Sequence, residues 1–363
     1  MRFFGYIIAL FCVFGVSAQN TTWKEVRHSK DIDWFMTQKA MDVVDSIICY
    51  QLENGGWPKN QDWVNGANKE EMLQCRNTGI GATIDNGATC EELMFIARFY
   101  AVNKKNNKED GLDKVKEAYI KGVQYLLDAQ YDNGGWPQFY PQKKAKNGMH
   151  YSSHITFNDC AMVNVLRFLK KIIDGNGDYA LLTLNEEDYQ KVIDAFGKGI
   201  ECILKCQIVK DGKHTVWCQQ HDENTLLPAS ARAYELAAFN AAGETADILL
   251  FLMELDNPSQ DIVLAVKAGI EWLEQHKMEN VILESFINEE GKTDRRIVEK
   301  NGNGPLWARY YDLQEELPFY CDRDGIPKRN LDEIGYERRI GYSWINDSPQ
   351  KTIDYYYKSW KYK

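Results

Sequence analysis

Apolar residues recur at helical spacing in three separate stretches of the chain. In the first stretch, Val43 and Ile47 fall on one face of a helix, and polar residues occupy the opposite face. The same pattern returns twice further along the chain. It predicts amphipathic helices over residues 32–52, 111–130 and 187–207.

Each predicted helix ends in glutamine and is followed by a glycine-containing turn and then by tryptophan. The sequence Asn-Gly-Gly-Trp-Pro occupies residues 54–58 and recurs at residues 133–137, and a diverged copy leads to Trp217. The intervals between the three glutamines are 79 and 77 residues. A repeat of this length accommodates two helices and two loops, which is typical of tandem helix pairs.

A second helix is predicted in each unit, beginning near Asp85, Asp159 and Ser230. A further helix is predicted over residues 261–276, after which the pattern stops. Residues 280–363 are rich in glycine, proline and aromatic residues and contain short strand-like runs. The sequence therefore predicts an all-α fold: an incomplete (α/α)3 toroid of repeated helix hairpins, with an irregular, partly β C-terminal segment packed on it. The second helices would all begin on one face.

Charge and the N-terminal residues indicate where the protein acts. The chain has 363 residues and a net charge of -10, which makes a nucleic-acid partner unlikely. Residues 1–18 have the pattern of a secretory signal, and the apolar run within them is short for a membrane span. We expect residues 19–363 to form one catalytic domain, monomeric, secreted or periplasmic, with no membrane attachment after cleavage. An uncleaved anchor is the alternative.

Eight cysteines remain after the predicted signal is removed. An exported protein with an even number of cysteines can form disulfides, but their pairing cannot be deduced from the sequence. A chain of this length does not need such cross-links, and buried free thiols fit the sequence equally well.

Asp85 and Asp159 stand at nearly matching places in two units, each at a predicted helix start. One role for such residues is helix capping. Two carboxylates on one face would also suit calcium, which prefers several oxygen ligands. They would equally suit the acid and base of a glycosidase. The spacing alone does not choose among these roles.

Arginines provide a second group of candidate residues. Arg232 occupies the third position equivalent to the two aspartates, where it could meet an anionic ligand or form an ion pair with Glu235. Arg309 and Arg323 lie in aromatic and acidic surroundings, and a guanidinium group binds carboxylates with two hydrogen bonds.

The other candidates each have a structural alternative. Lys59 follows the first tryptophan turn. Trp136 could stack on a sugar or close the end of the helix array, and His221 could bind substrate or be purely structural. We list all three as predicted substrate-binding residues.

Taken together, these segments resemble the pectate lyases of polysaccharide lyase family 10. The resemblance extends from about residue 30 to about residue 345 and rests on these segments: residues 54–59, 83–89, 135–141, 155–159, 217–222, 228–234, 307–309, 322–325 and 336–339.

The resemblance implies a partial α/α toroid and a calcium-dependent anti β-elimination that cleaves α-1,4-polygalacturonate into 4,5-unsaturated oligogalacturonides. It implies that Asp85 and Asp159 hold calcium and substrate, that Arg232 is the base that removes the C5 proton, and that Arg309 and Arg323 bind uronate carboxylates.

Two features of the implied site need explanation. Cys160 follows Asp159 where an acidic residue is expected, so the number of calcium ligands is open. An arginine base is unusual because the pKa of arginine exceeds 12, and we expect calcium and nearby cations to lower the pKa of Arg232.

Two other functions compete with the lyase. An inverting glycoside hydrolase on an α/α toroid would use two of Asp85, Asp159 and Asp222. A non-catalytic protein that binds acidic polysaccharides would use only the aromatic cleft. The hydrolase would release saturated products irrespective of chelators, and the binding protein would cleave nothing.

Overall fold

The computed structural model describes residues 22–66, 81–143 and 151–363. The predicted signal and Cys75 lie outside these ranges. The helices are α1 (Trp23–Val26), α2 (Ile32–Phe35), α3 (Gln38–Cys49), α4 (Cys90–Lys105), α5 (Leu112–Asp128), α6 (Ala161–Asp174), α7 (Glu186–Cys206), α8 (Gly243–Glu254), α9 (Gln260–Gln275), α10 (Tyr336–Gly341) and α11 (Ser348–Lys351). The protein is helix-rich, as predicted.

The predicted first helices are present with small changes in their ends. Helices α5 and α7 match residues 111–130 and 187–207 to within two residues at each end. The prediction over residues 32–52 corresponds to two helices, α2 and α3, because Thr37 interrupts it. The Thr37 hydroxyl accepts a hydrogen bond from the Ala40 N–H at 3.3 Å and so begins a new helix.

The helices pack in two rows. Helices α3, α5, α7 and α9 contact one another in that order, and α4, α6, α8 and α11 form the second row. The rows are joined by hairpins, because α4 packs on α5, α6 on α7 and α8 on α9. The prediction that the helical pattern stops after residue 276 is wrong, because the second row includes α11. A fourth unit is present.

The tryptophans explain why the units repeat. Each indole N–H donates to a carbonyl near the end of the helix before it: Trp57 to Ile47, Trp136 to Leu126, Trp217 to Ile203 and Trp307 to Leu273, at 2.7–2.8 Å. All four rings are fully buried. Trp307 was not recognised as a copy because a long insertion separates it from α9.

The repeated glutamines join one unit to the next. The Gln51 side-chain amide donates to Gly55 O in its own turn and to Ala118 O in α5, both at 2.8 Å. Gln130 makes the same two kinds of bond, to Gly134 O and Ala195 O. These buried main-chain carbonyls gain a partner, which fixes the spacing between units.

The glycine turns permit this close approach. Gly55 and Gly134 have φ values of +94° and +91°. A Cβ at Gly55 would lie 2.1 Å from Lys121 O, and a Cβ at Gly134 would lie 2.1 Å from Lys198 O. Only glycine fits both the backbone conformation and the space.

The strands are short except for one hairpin. They are β1 (Ile155–Thr156), β2 (Val209–Lys210), β3 (Lys213–His214), β4 (Gln220–His221), β5 (Phe239–Asn240), β6 (Val281–Ile287), β7 (Thr293–Glu299), β8 (Trp307–Ala308), β9 (Tyr310–Tyr311), β10 (Pro318–Cys321), β11 (Pro327–Lys328) and β12 (Ile345–Asn346). Strands β6 and β7 pair antiparallel, with Glu284 opposite Arg296. Strands β11, β10, β9 and β5 form a sheet in that order, which packs the partly β C-terminal segment on the helices.

The second helix of the third unit, α8, begins later than predicted. Residues 230–237 form turns, and α8 begins only at Gly243. The local main chain closes on itself, since Ala231 N donates to Glu235 O and Glu235 N donates to Arg232 O. The prediction that Arg232 stands at a helix start is therefore wrong.

Two further observations concern the described residues. The seven cysteines among them are free thiols. Within these residues, no helix is both long enough and apolar enough to cross a bilayer.

Candidate active site

A polar residue lies two positions after each buried tryptophan. These residues are Lys59, Gln138, Gln219 and Arg309. The main chain holds three of them in register, because Ile84 N donates to Gln138 O, Asn158 N to Gln219 O and Ala241 N to Arg309 O, at 3.0–3.3 Å. The helical scaffold thus places one polar residue per unit beside the main-chain hydrogen bonds that join these segments.

Acidic side chains lie beside these segments. Asp85 and Asp159 occupy two 3₁₀ turns, Asp85–Gly87 and Asn158–Cys160, which contact each other. The second turn also contacts α8, which carries Glu244 in its first turn. Burial, followed by the charges of Asp85 and Glu244, raises the pKa of Asp159. The structure therefore brings Asp85 and Asp159 together and adds Glu244.

The turn conformation explains the one-residue offset between the two aspartates. Asn86 and Asp159 both have left-handed backbone conformations, with φ of +54° and +51°. Asp159 is therefore the counterpart of Asn86, and Asp85 is the counterpart of Asn158. The Asn158 side-chain amide donates to Asp159 Oδ2 at 2.7 Å, which orients the carboxylate.

Two cationic side chains partly neutralise the negative charge of the acidic group. Lys59 forms an ion pair with Asp85, which is buried, and Arg309 forms an ion pair with Glu244. The other oxygen of each carboxylate, Asp85 Oδ1 and Glu244 Oε2, is buried and has no hydrogen-bond partner in the described part of the chain. Unpartnered buried carboxylate oxygens are costly, and they suit a bound cation.

Among the described residues, no three carboxylate, thiol or imidazole groups converge closely enough to hold a metal ion by themselves. Calcium takes about six to eight oxygen ligands. The three carboxylates therefore fit a calcium site only if a ligand and water supply the remaining oxygens.

A chain of close polar contacts connects the acidic group to Arg232. Arg309 donates to Gln219 Oε1 at 3.1 Å, and the Tyr310 hydroxyl also donates to Gln219. The hydroxyl oxygens of Tyr310 and Tyr342 lie 2.8 Å apart. Tyr342 then donates to Glu235 Oε1 at 2.9 Å, and Glu235 holds Arg232. Arg232 thus belongs to the same network as Arg309.

The contact between Arg232 and Glu235 is bidentate. Arg232 Nε donates to Oε2 at 2.7 Å and Nη2 donates to Oε1 at 2.6 Å. Burial alone would lower the pKa of Arg232, but the hydrogen bonds and charge of Glu235 outweigh it and raise the pKa above its usual value. The protein groups around Arg232 therefore raise its pKa, and the lowering by calcium stays a prediction.

Arg323 lies near Arg232 rather than near Arg309. The guanidinium groups of Arg232, Arg323 and Arg338 stand 5.2, 5.7 and 4.7 Å from the centre of the Tyr234 ring. Arg323 is exposed and donates to both oxygens of Glu337 at 3.1 Å. The site therefore has two cationic regions, one at Arg309 and one around Tyr234.

Two predicted substrate-binding residues cannot reach a substrate. Trp136 is fully buried against the end of α5, where it seals the helix array. His221 is also fully buried, with Nδ1 bonded to Leu226 O at 2.8 Å and Nε2 accepting from Cys218 N at 3.1 Å. The structure contradicts both predictions and leaves the structural alternatives.

Several site residues escaped the sequence analysis. Gln219 and Glu244 belong to the third unit and Tyr310 and Tyr342 to the fourth, and only the tertiary structure brings them together. The spacing of two residues after each tryptophan was a usable signal for Gln219. Glu244 carried no comparable signal, because its helix was predicted to begin earlier.

Comparison with known proteins agrees with this geometry. The family model described as pectic acid lyase matches residues 51–353. A solved family 10 polysaccharide lyase from Cellvibrio cellulosa is 31% identical, with 91% of this chain and 96% of that chain covered and a TM-score of 0.73. An Asp-to-Ala mutant of such a lyase, in complex with trigalacturonic acid, is also 31% identical, with 90% and 95% covered and a TM-score of 0.72. No curated protein matches the chain.

The fold and these matches define a polysaccharide lyase. The chain belongs to the pectic acid lyase family, and its predicted resemblance to the pectate lyases of polysaccharide lyase family 10 is confirmed.

Proposed function

We propose that this pectate lyase cleaves polygalacturonate by a calcium-dependent anti β-elimination that yields 4,5-unsaturated oligogalacturonides. The observation that carries the proposal is the proximity of Asp85, Asp159 and Glu244, with Lys59 paired to Asp85 and Arg309 paired to Glu244. The related lyase complex with trigalacturonic acid supports the substrate class.

Calcium suits the acidic group for a physical reason. Asp85 Oδ1 and Glu244 Oε2 are buried oxygens without partners, and Asp159 feels the charge of both residues. We propose that Asp85 and Asp159 are calcium ligands, with Glu244 close by. When bound, calcium would neutralise a uronate carboxylate and so make the adjacent C5 proton more acidic.

The elimination needs the C5 proton removed and the C4–O bond broken. The electron pair of the C5–H bond becomes the C4–C5 double bond, and the departing oxygen takes a proton from solvent. We propose that Arg309 and Lys59 bind uronate carboxylates and stabilise the charge that develops on them. Arg323 would bind a uronate further along the chain, beside Tyr234.

Arg232 is our proposed base. It must give up one proton before it can accept another, and Glu235 is the carboxylate in direct contact with it. A proton transferred to Glu235 leaves a neutral guanidine, which can then take the C5 proton. Glu235 is 3% exposed, and its charge and hydrogen bonds favour the protonated form of Arg232, so the transfer requires the positive charge of bound calcium nearby.

The competing hydrolase loses one of its candidate carboxylates. Asp222 Oδ1 accepts hydrogen bonds from Asn224 N, Thr225 N and the Thr225 hydroxyl, at 2.7–3.0 Å. These bonds hold Asp222 within its own turn.

We further propose that the two helix rows form an incomplete toroid, and that the protein is exported and monomeric.

The decisive assay incubates the protein with polygalacturonate, with and without EDTA, and follows the ultraviolet absorbance of the C4–C5 double bond. Absorbance should rise, stop on chelation and resume when calcium is restored. Saturated products that form in EDTA would establish the hydrolase instead. Arg232→Ala should abolish the rise while the fold is retained, and unchanged turnover would remove Arg232 as the base.

A further inference from the structure

A second, basic pocket lies away from the active site. It has a volume of about 430 Å³, within the range of about 300–1,000 Å³ that is usual for small-molecule sites. Its lining includes Arg27, His28, Lys30, Arg98, Lys171 and Tyr179. We call it the basic pocket.

The basic pocket is separated from the acidic group along the helices. Arg98 lies eight residues beyond the start of α4, and Lys171 lies ten residues beyond the start of α6. With a rise of about 1.5 Å per residue, these positions are roughly 12–15 Å from the helix ends that carry the active site. Arg27, which pairs with Glu91 at the start of α4, marks the end of the basic pocket nearer the active site, and Arg98 and Lys171 mark the far end.

Positive charge in the basic pocket is not fully compensated. Arg27 is paired with Glu91, and Arg98 with Asp178. Lys171 Nζ, by contrast, donates to the sulfur of Met94 at 3.2 Å and to no oxygen of the described residues. A thioether is a weak acceptor, so the ammonium group lacks the partner it would normally have.

A second group in the pocket also lacks a partner. Arg27 Nε is buried and makes no hydrogen bond within the described part of the chain. In addition, burial and the charges of Arg27, Arg98 and Lys171 lower the pKa of His28, which shows that three cations converge on one place. An anion in the pocket would give the Lys171 ammonium group the partner that it lacks.

The pocket also contains acceptors. Asp174 and Asp178 line it alongside the cations. A small inorganic anion would be repelled by these carboxylates, whereas the hydroxyl groups of a sugar would donate to them. The combination of cations with acceptors is suited to a sugar that carries a carboxylate.

We propose that the basic pocket is a second binding site for galacturonate, with the sugar carboxylate on Lys171 and Arg27 and the sugar hydroxyls on Asp174 and Asp178. The choice of galacturonate rests on the proposed function, which would produce uronate-containing oligosaccharides close to this surface. The pocket takes no part in the elimination itself.

The test measures binding of D-galacturonate, D-galactose and inorganic phosphate to the full chain by calorimetry. D-galacturonate has no glycosidic bond, so its binding is independent of lyase activity. Lys171→Met should weaken the binding of galacturonate at one site by about tenfold, the effect of one charge-assisted hydrogen bond. Lys114→Met is the control, because Lys114 pairs with Asp45 and neither residue lines the basic pocket.

Equal affinity of Lys171→Met and the unmutated protein for galacturonate would overturn the proposal. So would binding of galactose, or of phosphate, as strong as that of galacturonate. Lys171→Met should retain the turnover of polygalacturonate at saturating substrate. If no unsaturated product forms at all, the proposed function fails, but the comparison with galacturonate still decides whether the basic pocket binds it.

Discussion

Removal of the Arg309 guanidinium should make the stability of the protein unusually sensitive to calcium. Arg309 and Glu244 have side-chain exposures of 11% and 5%, and they form an ion pair. Arg309→Met would leave Glu244 buried and unpaired beside Asp159 and Asp85. Breaking a buried pair on one side typically costs about 3–5 kcal/mol.

Calcium should recover part of that loss. A bound cation would neutralise the stranded carboxylate, and a ligand at 100 times its Kd adds about 2.7 kcal/mol to the free energy of unfolding. The gain in unfolding free energy from calcium should be larger in Arg309→Met than in the unmutated protein, because the variant lacks the guanidinium group that repels the ion. Urea unfolding in EDTA and in calcium measures both increments.

The pair of Arg339 and Asp294 provides the control. Its side-chain exposures, 16% and 4%, are similar, and Arg339 Nε and Nη2 bind the carboxylate at 2.7 and 2.6 Å. Arg339→Met should be destabilised by a comparable amount but gain no extra stability from calcium. An equal calcium increment in the two variants and the unmutated protein would refute the idea that Arg309 and calcium share one group of carboxylates.

Three further predictions concern the network and its titration. Glu235→Gln should lower kcat by about tenfold or more with little change in KM, and should shift the pH profile of kcat, because Arg232 loses its proton acceptor; an unchanged profile would contradict this. Since burial, Asp85 and Glu244 raise the pKa of Asp159, calcium affinity should fall as pH falls through that raised value, and Asp159→Asn should bind weakly at every pH. Burial lowers the pKa of His221 to about 4, so its contribution to stability is complete above about pH 6.5 and is lost as pH falls to about 4, by about 3 kcal/mol. His221→Gln should lack this dependence when its unfolding free energy is compared with that of the unmutated protein between pH 7 and pH 4; equal slopes would refute it.

The effect of His221 must be measured as the difference in unfolding free energy between His221→Gln and the unmutated protein, because buried Glu92 also titrates. Burial raises the pKa of Glu92 to about 7, although the Trp63 indole donates to it at 2.8 Å. A raised carboxyl pKa stabilises the folded state below about pH 4.5, and this contribution is lost as pH rises towards 7. Glu92 therefore acts in the opposite direction to His221 and would mask it in the unmutated protein alone.

The sequence by itself determined the repeating scaffold and two of the three residues of the acidic group. Helical periodicity placed α5 and α7 to within two residues, because apolar spacing is a local property of the chain. The duplicated tryptophan turn located Lys59, and the helix starts located Asp85 and Asp159. The glutamines marked the units because each one bonds its own turn and the next helix.

The tertiary structure decided which of the marked residues can act. Burial removed Trp136 and His221 from contact with substrate, since a side chain used by the core has no surface for a ligand. Long-range packing brought Glu244 to Asp159 and connected Arg232 to Arg309 through two tyrosines. These contacts join residues up to 107 positions apart, and no local pattern in the sequence encodes such distances.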